Sequence, residues 1–307
     1  MAQLTVEDVL ARIQRGESLH QAELSTIDLS STALDGGDFT ETYLRQAKFE
    51  DASCEETNFT KATLIGATLC RANLQRSQFT NSILTQATLT AANLSAVEGQ
   101  GAKLYGASLA EAILTEGILD GADLREAVGT GAILQNTSLI KATAEKADFR
   151  NARFQGTILT QSQWQRAQLS QGIFSQAVLD QGMFDEASFR EGTLTDMVAV
   201  NASFKGTNFQ GADLSRSQLD YANCTLANLT KATLHGTSLF GSILKGADLT
   251  GANLTGANLQ EADLELANLE GICWENCDVR GAILTDSIGL SDDQKQWLRD
   301  NGALNVG

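Results

Sequence analysis

Residues Ala247 to Leu269 read A-D-L-T-G, A-N-L-T-G, A-N-L-Q-E, A-D-L-E-L, A-N-L. An alanine, then Asp or Asn, then leucine, then two free positions recur every five residues. A period of five fits neither a helix nor a strand, whose side chains repeat at 3.6 and 2.0. It marks a repeat array, and it extends outward from this stretch over most of the chain. Leucine or a substitute falls at Leu24, Leu29, Leu34, Phe39 and every fifth residue to Leu284; of these 53 positions 44 are Leu or Phe. Two residues before each, from Ala22 to Ala282, 49 of 53 are Ala, Gly, Ser, Thr or Cys. No insertion breaks the register.

Tandem A(D/N)Lxx over about residues 22 to 284 closely resembles the pentapeptide-repeat proteins. The resemblance implies an all-β fold, a right-handed, four-sided (quadrilateral) parallel β-solenoid with four pentapeptides per coil. The small residue and the Leu/Phe would point inward, and the other three positions outward. The composition agrees. An Ala-sized residue leaves room for the large one beside it, so a narrow interior can reach ordinary packing density. A proline would delete a donor between coils, and the chain contains none. At four pentapeptides per coil the array makes about thirteen coils, which at roughly 4.8 Å per coil is ~63 Å.

Irregular positions test the inward assignment. Val97 is large where a small residue belongs, and its partner Gly99 is small; Met197 and Ala199 repeat the exchange. Volume is conserved while order is swapped, the change that packed cores tolerate best. Gly129 and Ala144 have no such compensation, which predicts local underpacking or a bend. Phe39, Phe59 and Phe79, twenty apart, predict a stacked ladder in the core.

The ends do not repeat. Residues 1–19 are expected to form an N-terminal helical cap: Thr5-Val6-Glu7-Asp8 reads as a capping box, Val6, Val9, Leu10 and Ile13 make an apolar stripe, and Gly16 ends the helix. The solenoid is expected over 20–286, and a C-terminal helical cap over 287–307. In the latter, Ser291 and Gln294 read as a capping box, Leu290, Trp297 and Leu298 offer an apolar edge, and Asn301-Gly302 is a stop signal. In some pentapeptide-repeat proteins a C-terminal helix also joins two chains, so Leu290, Trp297 and Leu298 are candidates for a cap or a dimer joint.

No apolar run is long enough to span a membrane and no signal-peptide core is present, which predicts a soluble, cytoplasmic protein with no membrane partner. Five cysteines without a C-x-x-C pair predict a reducing compartment, no disulfide framework and no zinc site. Cys54 and Cys224 fall on Leu/Phe positions, Cys277 on a small-residue position, and Cys70 and Cys273 should face outward. His20 and His235 are far apart in sequence. No catalytic residue, cofactor site or metal site is expected. Asp123, Asp148, Asp213, Asp248 and Asp263 precede core leucines, where their expected work is local hydrogen bonding at the turns.

The outward residue just before each core position is apolar at Ile113, Ile133 and Ile173, spaced by twenty or forty, and at Ile118, Ile158, Val178 and Val198 on the next face. With Val200 they form a candidate interaction strip, since contiguous exposed apolar surface usually marks contact. The leading functional expectation is a non-enzymatic scaffold that presents flat faces to an unidentified protein partner, with a homodimer as one form of that contact.

Charge suggests an alternative. Some family members confer quinolone resistance by resembling B-form DNA and binding DNA gyrase, and this chain carries net −16. The two faces running through Leu34 and Phe39 carry −4 and −5. A duplex has about one charge per 1.7 Å, or about 37 over ~63 Å. Such faces are a poor electrostatic copy, and the gyrase-binding members have loops that this register lacks. Direct nucleic-acid binding is not expected of so acidic a surface. The entry segment Val9 to Leu29 also looks like those opening repeat modules in bacterial secretion-associated proteins, which would imply an adaptor role.

Overall fold

The pentapeptide Ala247–Gly251 shows how the backbone is satisfied. Its five amides find five different acceptors. Ala247 N–H donates to the Leu244 carbonyl (3.0 Å), closing a turn, and Asp248 N–H to Ala227 (3.0 Å) in the preceding coil. Leu249 and Gly251 donate to Asn268 (2.9 Å) and Glu270 (2.8 Å) in the following coil. The remaining donor, Thr250 N–H, is taken by the Asp248 side chain at 3.0 Å. The Asp or Asn of the repeat thus serves the one amide that neither the turn nor the neighbouring coils reach. The same bond recurs at Asp123, Asp148, Asp213 and Asp263. Where the position is not acidic, an aspartate one coil earlier can substitute: Asp120 accepts from Ile140 N–H, and Asp180 from Val200 N–H.

A computed structural model describes residues 4–307; residues 1–3 of the N-terminal segment lie outside them. The chain divides into two units, Met1–Thr157 and Ile158–Gly307, and each is a β-solenoid. In the first, bridges run Glu23 to Tyr43 to Thr63 to Ile83, always in parallel and always twenty residues apart. In the second they run Ile158 to Val178 to Val198 and on to Ile288 along its other faces. A coil is therefore four pentapeptides. Each turn places its third residue in the left-handed region, as a type II turn requires. Gly251 suits it (φ +65°), yet Lys231 and Leu226 hold the same conformation at +56° and +57°. Such residues cost about 1–2 kcal/mol each, which the ladder on either side of every turn must offset.

The interior follows the pairing of small and large. The Leu/Phe positions are buried almost without exception, and Ala beside them likewise. Threonine in the small position stays buried by reaching back one coil. Thr57 donates to the Leu34 carbonyl (2.9 Å) and Thr237 to Leu214 (2.8 Å). Cys277 occupies the same place against Leu254. The phenylalanine ladder forms as expected: Phe39 stacks on Phe59 (5.2 Å, 19°) and Phe59 on Phe79 (4.9 Å, 14°). The second unit has its own ladders in Phe184–Phe204 and Phe189–Phe209.

The irregular positions behave differently from expectation. Gly129 is not an empty place. A Cβ built there would lie 2.1 Å from Phe149 Cε1, so the ring one coil later fills the space and the expected underpacking is absent. Val97 is buried and its methyl lies against Gly117, where an added Cβ would be 3.1 Å from Val97 Cγ1. Leu119 leans over Gly99. The exchange of volume is incomplete all the same, because a small apolar cavity remains, lined among others by Leu94, Val97, Leu104 and Leu119. Met197, Ala199 and Ala144 are all fully buried.

Helix α1 spans Val6–Gln14 and helix α2 spans Asp292–Asp300. Both start with the expected capping box, Thr5 with Asp8 and Ser291 with Gln294. On α1, Val9 is buried and Ile13 Cδ1 lies 3.2 Å from the Cβ that Gly37 lacks. After α2 the chain turns at Gly302 (φ +87°) and rejoins the ladder, Leu304 bridging in parallel to Ile283.

Restoring the repeat at Gly129 should therefore harm the protein. Gly129→Leu is expected to cost about 1–3 kcal/mol by overpacking against Phe149, measured by denaturant unfolding, and adding Phe149→Leu should recover part of it. Asp248→Ala should cost about 1 kcal/mol through the lost acceptor for Thr250 N–H. Asp248→Asn, which keeps an oxygen there, should cost less.

Candidate interaction surface

Outward side chains that are twenty apart in sequence become neighbours in space, because the backbone bridges connect n to n + 20. Most such columns are polar. Arg71 reaches Asp51 (2.6 Å), Lys61 reaches Glu41 (3.4 Å), Arg166 reaches Glu186 (2.8 Å) and Arg216 reaches Asp196 (2.8 Å). Arg76 holds both Glu55 and Glu56. A second arrangement folds an arginine back on the turn aspartate of its own repeat, as in Arg125–Asp123, Arg150–Asp148 and Arg280–Asp278. Individually these exposed pairs contribute little stability. Their effect on the surface is to neutralise part of its acidity in place.

The apolar candidates break this pattern. In the first unit Ile113 and Ile133 bridge directly, both half-buried, and the column then meets Arg153. Ile118, 39 % exposed, stands alone on the next face between Glu98 and Ser138. In the second unit Ile158, Val178 and Val198 bridge in succession without interruption, ending at Gln218. Ile158 is 38 % exposed and the two valines are half-buried. Ile173 pairs with Thr193, and Val200 is half-buried with its amide held by Asp180.

The outward columns read from the sequence miss other apolar groups. Val128, Met183 and Ile243 are exposed at strand positions on other faces. Tyr221, Leu226 and Leu266 are more exposed still, and all three occupy left-handed turn residues. Tyr221 lies edge-on to Phe240 (5.4 Å, 90°), and Leu226 reaches over Gly246. A count of turn positions at a spacing of twenty would have found them; counting only the strand positions did not.

At the C-terminal end, Leu298 is wholly buried, and Leu290 and Trp297 are half-buried. Trp297 packs on Trp274, ring centroids 6.2 Å apart and planes tilted by 36°. Trp274 stands at a Leu/Phe position of the repeat. Of the cysteines, Cys54 and Cys224 are buried, Cys273 is exposed, and Cys70 and Cys277 are half-buried; all five are free thiols. Burial pushes the Cys277 thiol up to about 11, whereas hydrogen bonding with Thr255 lowers that of Cys273. Among the described residues no group of three or more His, Cys, Asp or Glu is placed to hold a metal ion, and no helix is long and apolar enough to cross a membrane.

A family model for pentapeptide repeats matches the chain in eight copies, over residues 38–76, 72–109, 100–128, 130–161, 200–236 and 234–271. The chain belongs to the pentapeptide-repeat family. Among solved structures it is similar to QnrB1, a plasmid-mediated fluoroquinolone resistance protein, at 21 % identity and TM-score 0.37, over 56 % of this chain and 90 % of that one. A pentapeptide repeat protein from the Arabidopsis thaliana thylakoid lumen matches at 33 % identity and TM-score 0.25, over 33 % of this chain and 74 % of that one. HetL of Nostoc sp. strain PCC 7120, involved in heterocyst differentiation regulation, matches at 24 % and 0.22, over 92 % of this chain and 97 % of that one. These likenesses are of repeat type. No curated protein matches the chain.

The folded-back arginines set a pH dependence. Asp123, Asp148 and Asp278 have their carboxyl pKa lowered, first of all by hydrogen bonds from Arg125, Arg150 and Arg280. A carboxylate whose pKa is lower folded than unfolded adds stability above its unfolded pKa and loses that stability as pH falls through its folded value. Melting temperature should therefore fall on acidification below about pH 4, and Asp148→Asn should flatten the fall. A melting temperature constant down to about pH 2 would contradict the assignment.

Proposed function

We propose that this protein is a non-enzymatic scaffold that presents a flat solenoid face to a protein partner. The observation that carries the reading is the unbroken column Ile158–Val178–Val198 in the second unit. Elsewhere among the described bridges apolar strand residues meet at most in pairs, as at Ile113–Ile133, and ion pairs or turn hydrogen bonds occupy much of the remaining surface. β-Branched residues suit a strand in any setting, but a strand that needs only shape could use threonine, as Thr193, Thr233 and Thr143 do on this surface. Three adjacent hydrocarbon side chains on a flat face supply the kind of patch that contacts another protein. The reading includes right-handed, four-sided coils, with α1 over the first coil and α2 over the last, and a reducing cytoplasmic setting consistent with five free thiols.

The gyrase-directed alternative has family membership and a net charge of −16 behind it. The ion pairs count against it. Arg76 on Glu55 and Glu56, Arg216 on Asp196 and Lys61 on Glu41 set positive groups among the carboxylates of the two most acidic faces and break up the continuous negative surface that a DNA copy needs. A supercoiling assay with excess protein decides that case, since inhibition is required.

For the scaffold, Val178→Lys is the decisive variant. Its side chain points outward, so unfolding stability should change by less than about 1 kcal/mol. Self-association, read as molar mass by light scattering, or co-purification of a specific partner should be lost. A wild-type protein that is monomeric and captures nothing would sink the reading.

A further inference from the structure

Among the described residues, large apolar side chains hold left-handed turn positions in three places, Tyr221, Leu226 and Leu266, at φ +58°, +57° and +59°. Glycine takes that conformation without strain. At 53, 69 and 51 % exposure, none of the three strengthens the core. All three border one face of the second unit, whose outward strand residues Asn223, Ile243 and Asp263 bridge in succession. Ile243, 38 % exposed, lies between the two borders. Single exposed apolar residues mean little, but a cluster of four on one face marks a contact surface.

The borders have a pattern of their own. Twenty residues apart, one border reads Gly206, Leu226, Gly246, Leu266, and the other reads Tyr221, Gly241. Leu226 leans towards Gly246, its Cδ2 2.9 Å from the Cβ that the glycine lacks, and the Tyr221 ring leans likewise on Gly241 (2.7 Å). Leu226 and Leu266 are two coils, or ~9.6 Å, apart, so a furrow wide enough for a side chain opens between them. Charge changes sign along the same face. Lys205, exposed and without an ion pair among the described residues, stands three coils before Glu265 in one column. The coil of Glu265 also carries Glu261 and Asp263. Lys245, between Lys205 and Glu265 in the column, is held by Glu265 at 2.7 Å.

We propose that this face binds a second copy of the chain in an antiparallel twofold contact. A twofold axis lying across the face near Ile243, at right angles to the solenoid axis, sets each column against itself in reverse order. The ridge of Leu226 then enters the furrow at the partner's Gly246, Leu266 meets the partner's Gly206, and Tyr221 meets the partner's Gly241. Lys205 meets the partner's Glu265, and by symmetry this happens twice. A register shifted by one coil would set leucine on leucine and part Lys205 from Glu265, so volume and charge select the same alignment. The Ile158–Val178–Val198 column lies on a different face and stays open for a different protein, so the two readings stand or fall separately.

The test is molar mass by light scattering after size exclusion, run on the full chain over a concentration series. Wild type should rise to twice the chain mass. Leu226→Lys should stay monomeric with an unchanged melting temperature, since Lys231 holds the same turn conformation (φ +56°). Lys205→Glu and Glu265→Lys should each raise the dimer dissociation constant about tenfold or more. Mixed in equal amounts, those two variants should dimerise again, because each contact then joins opposite charges. Val178→Lys should remain dimeric. A monomeric wild type, a dimer that survives Leu226→Lys, a dimer lost in Val178→Lys, or a mixture no better than its parts would each overturn the proposal.

Discussion

The structure depends on how five backbone amides are satisfied in five residues. A turn that reverses nothing but only bends the chain uses one amide, and the coils above and below use three. The fifth has no backbone acceptor. Asp248 for Thr250, Asp148 for Arg150 and Asn228 for Thr230 supply it from two residues earlier. The repeat is thereby explained without reference to a partner or ligand. An aspartate that a reader looking for catalysis would single out is a fixed acceptor for a neighbouring amide, and that work recurs along both units.

The interior imposes the second condition. With four pentapeptides per coil, the space inside is a column of large side chains separated by small ones, and each place is shared with the coil before and after. That sharing accounts for Gly129. From one pentapeptide alone it looks like a hole, but the ring of Phe149 has already entered it. It also accounts for the cavity near Gly99, where Leu119 leans in but does not fill what a leucine at 99 would fill. Compensation operates between coils, twenty residues apart, more than between partners two residues apart.

The fold was therefore legible at period five. Leu249 and Ala247 announce their burial by type, and Thr5, Asp8, Ser291 and Gln294 announce two helix starts. What the sequence left obscure belongs to period twenty. The role of Phe149 in filling position 129 needs the coil offset. The meeting of Trp274 with Trp297 needs the path of the chain through Ile288 and Leu290 into α2, which no repeat specifies. Tyr221, Leu226 and Leu266 escaped because a left-handed turn residue is ordinarily read as a glycine site with no side chain to consider.

This separation of periods says where function can be written on such a chain. The inward positions are constrained by volume, and the residue before each large one is constrained by the fifth amide where it is Asp or Asn. The turn residues and the outward strand residue not needed as an acceptor remain. In most columns these carry ion pairs such as Arg71–Asp51 or Arg166–Glu186, whose members satisfy one another. At Ile158, Val178 and Val198 the acceptor has been given up for hydrocarbon in three successive coils. Giving up one acceptor could be chance in a tolerant repeat. Giving up three in one bridged column leaves a patch of adjacent hydrocarbon, and for Val198 the missing acceptor is replaced by Asp180 of the preceding coil, which holds the Val200 amide.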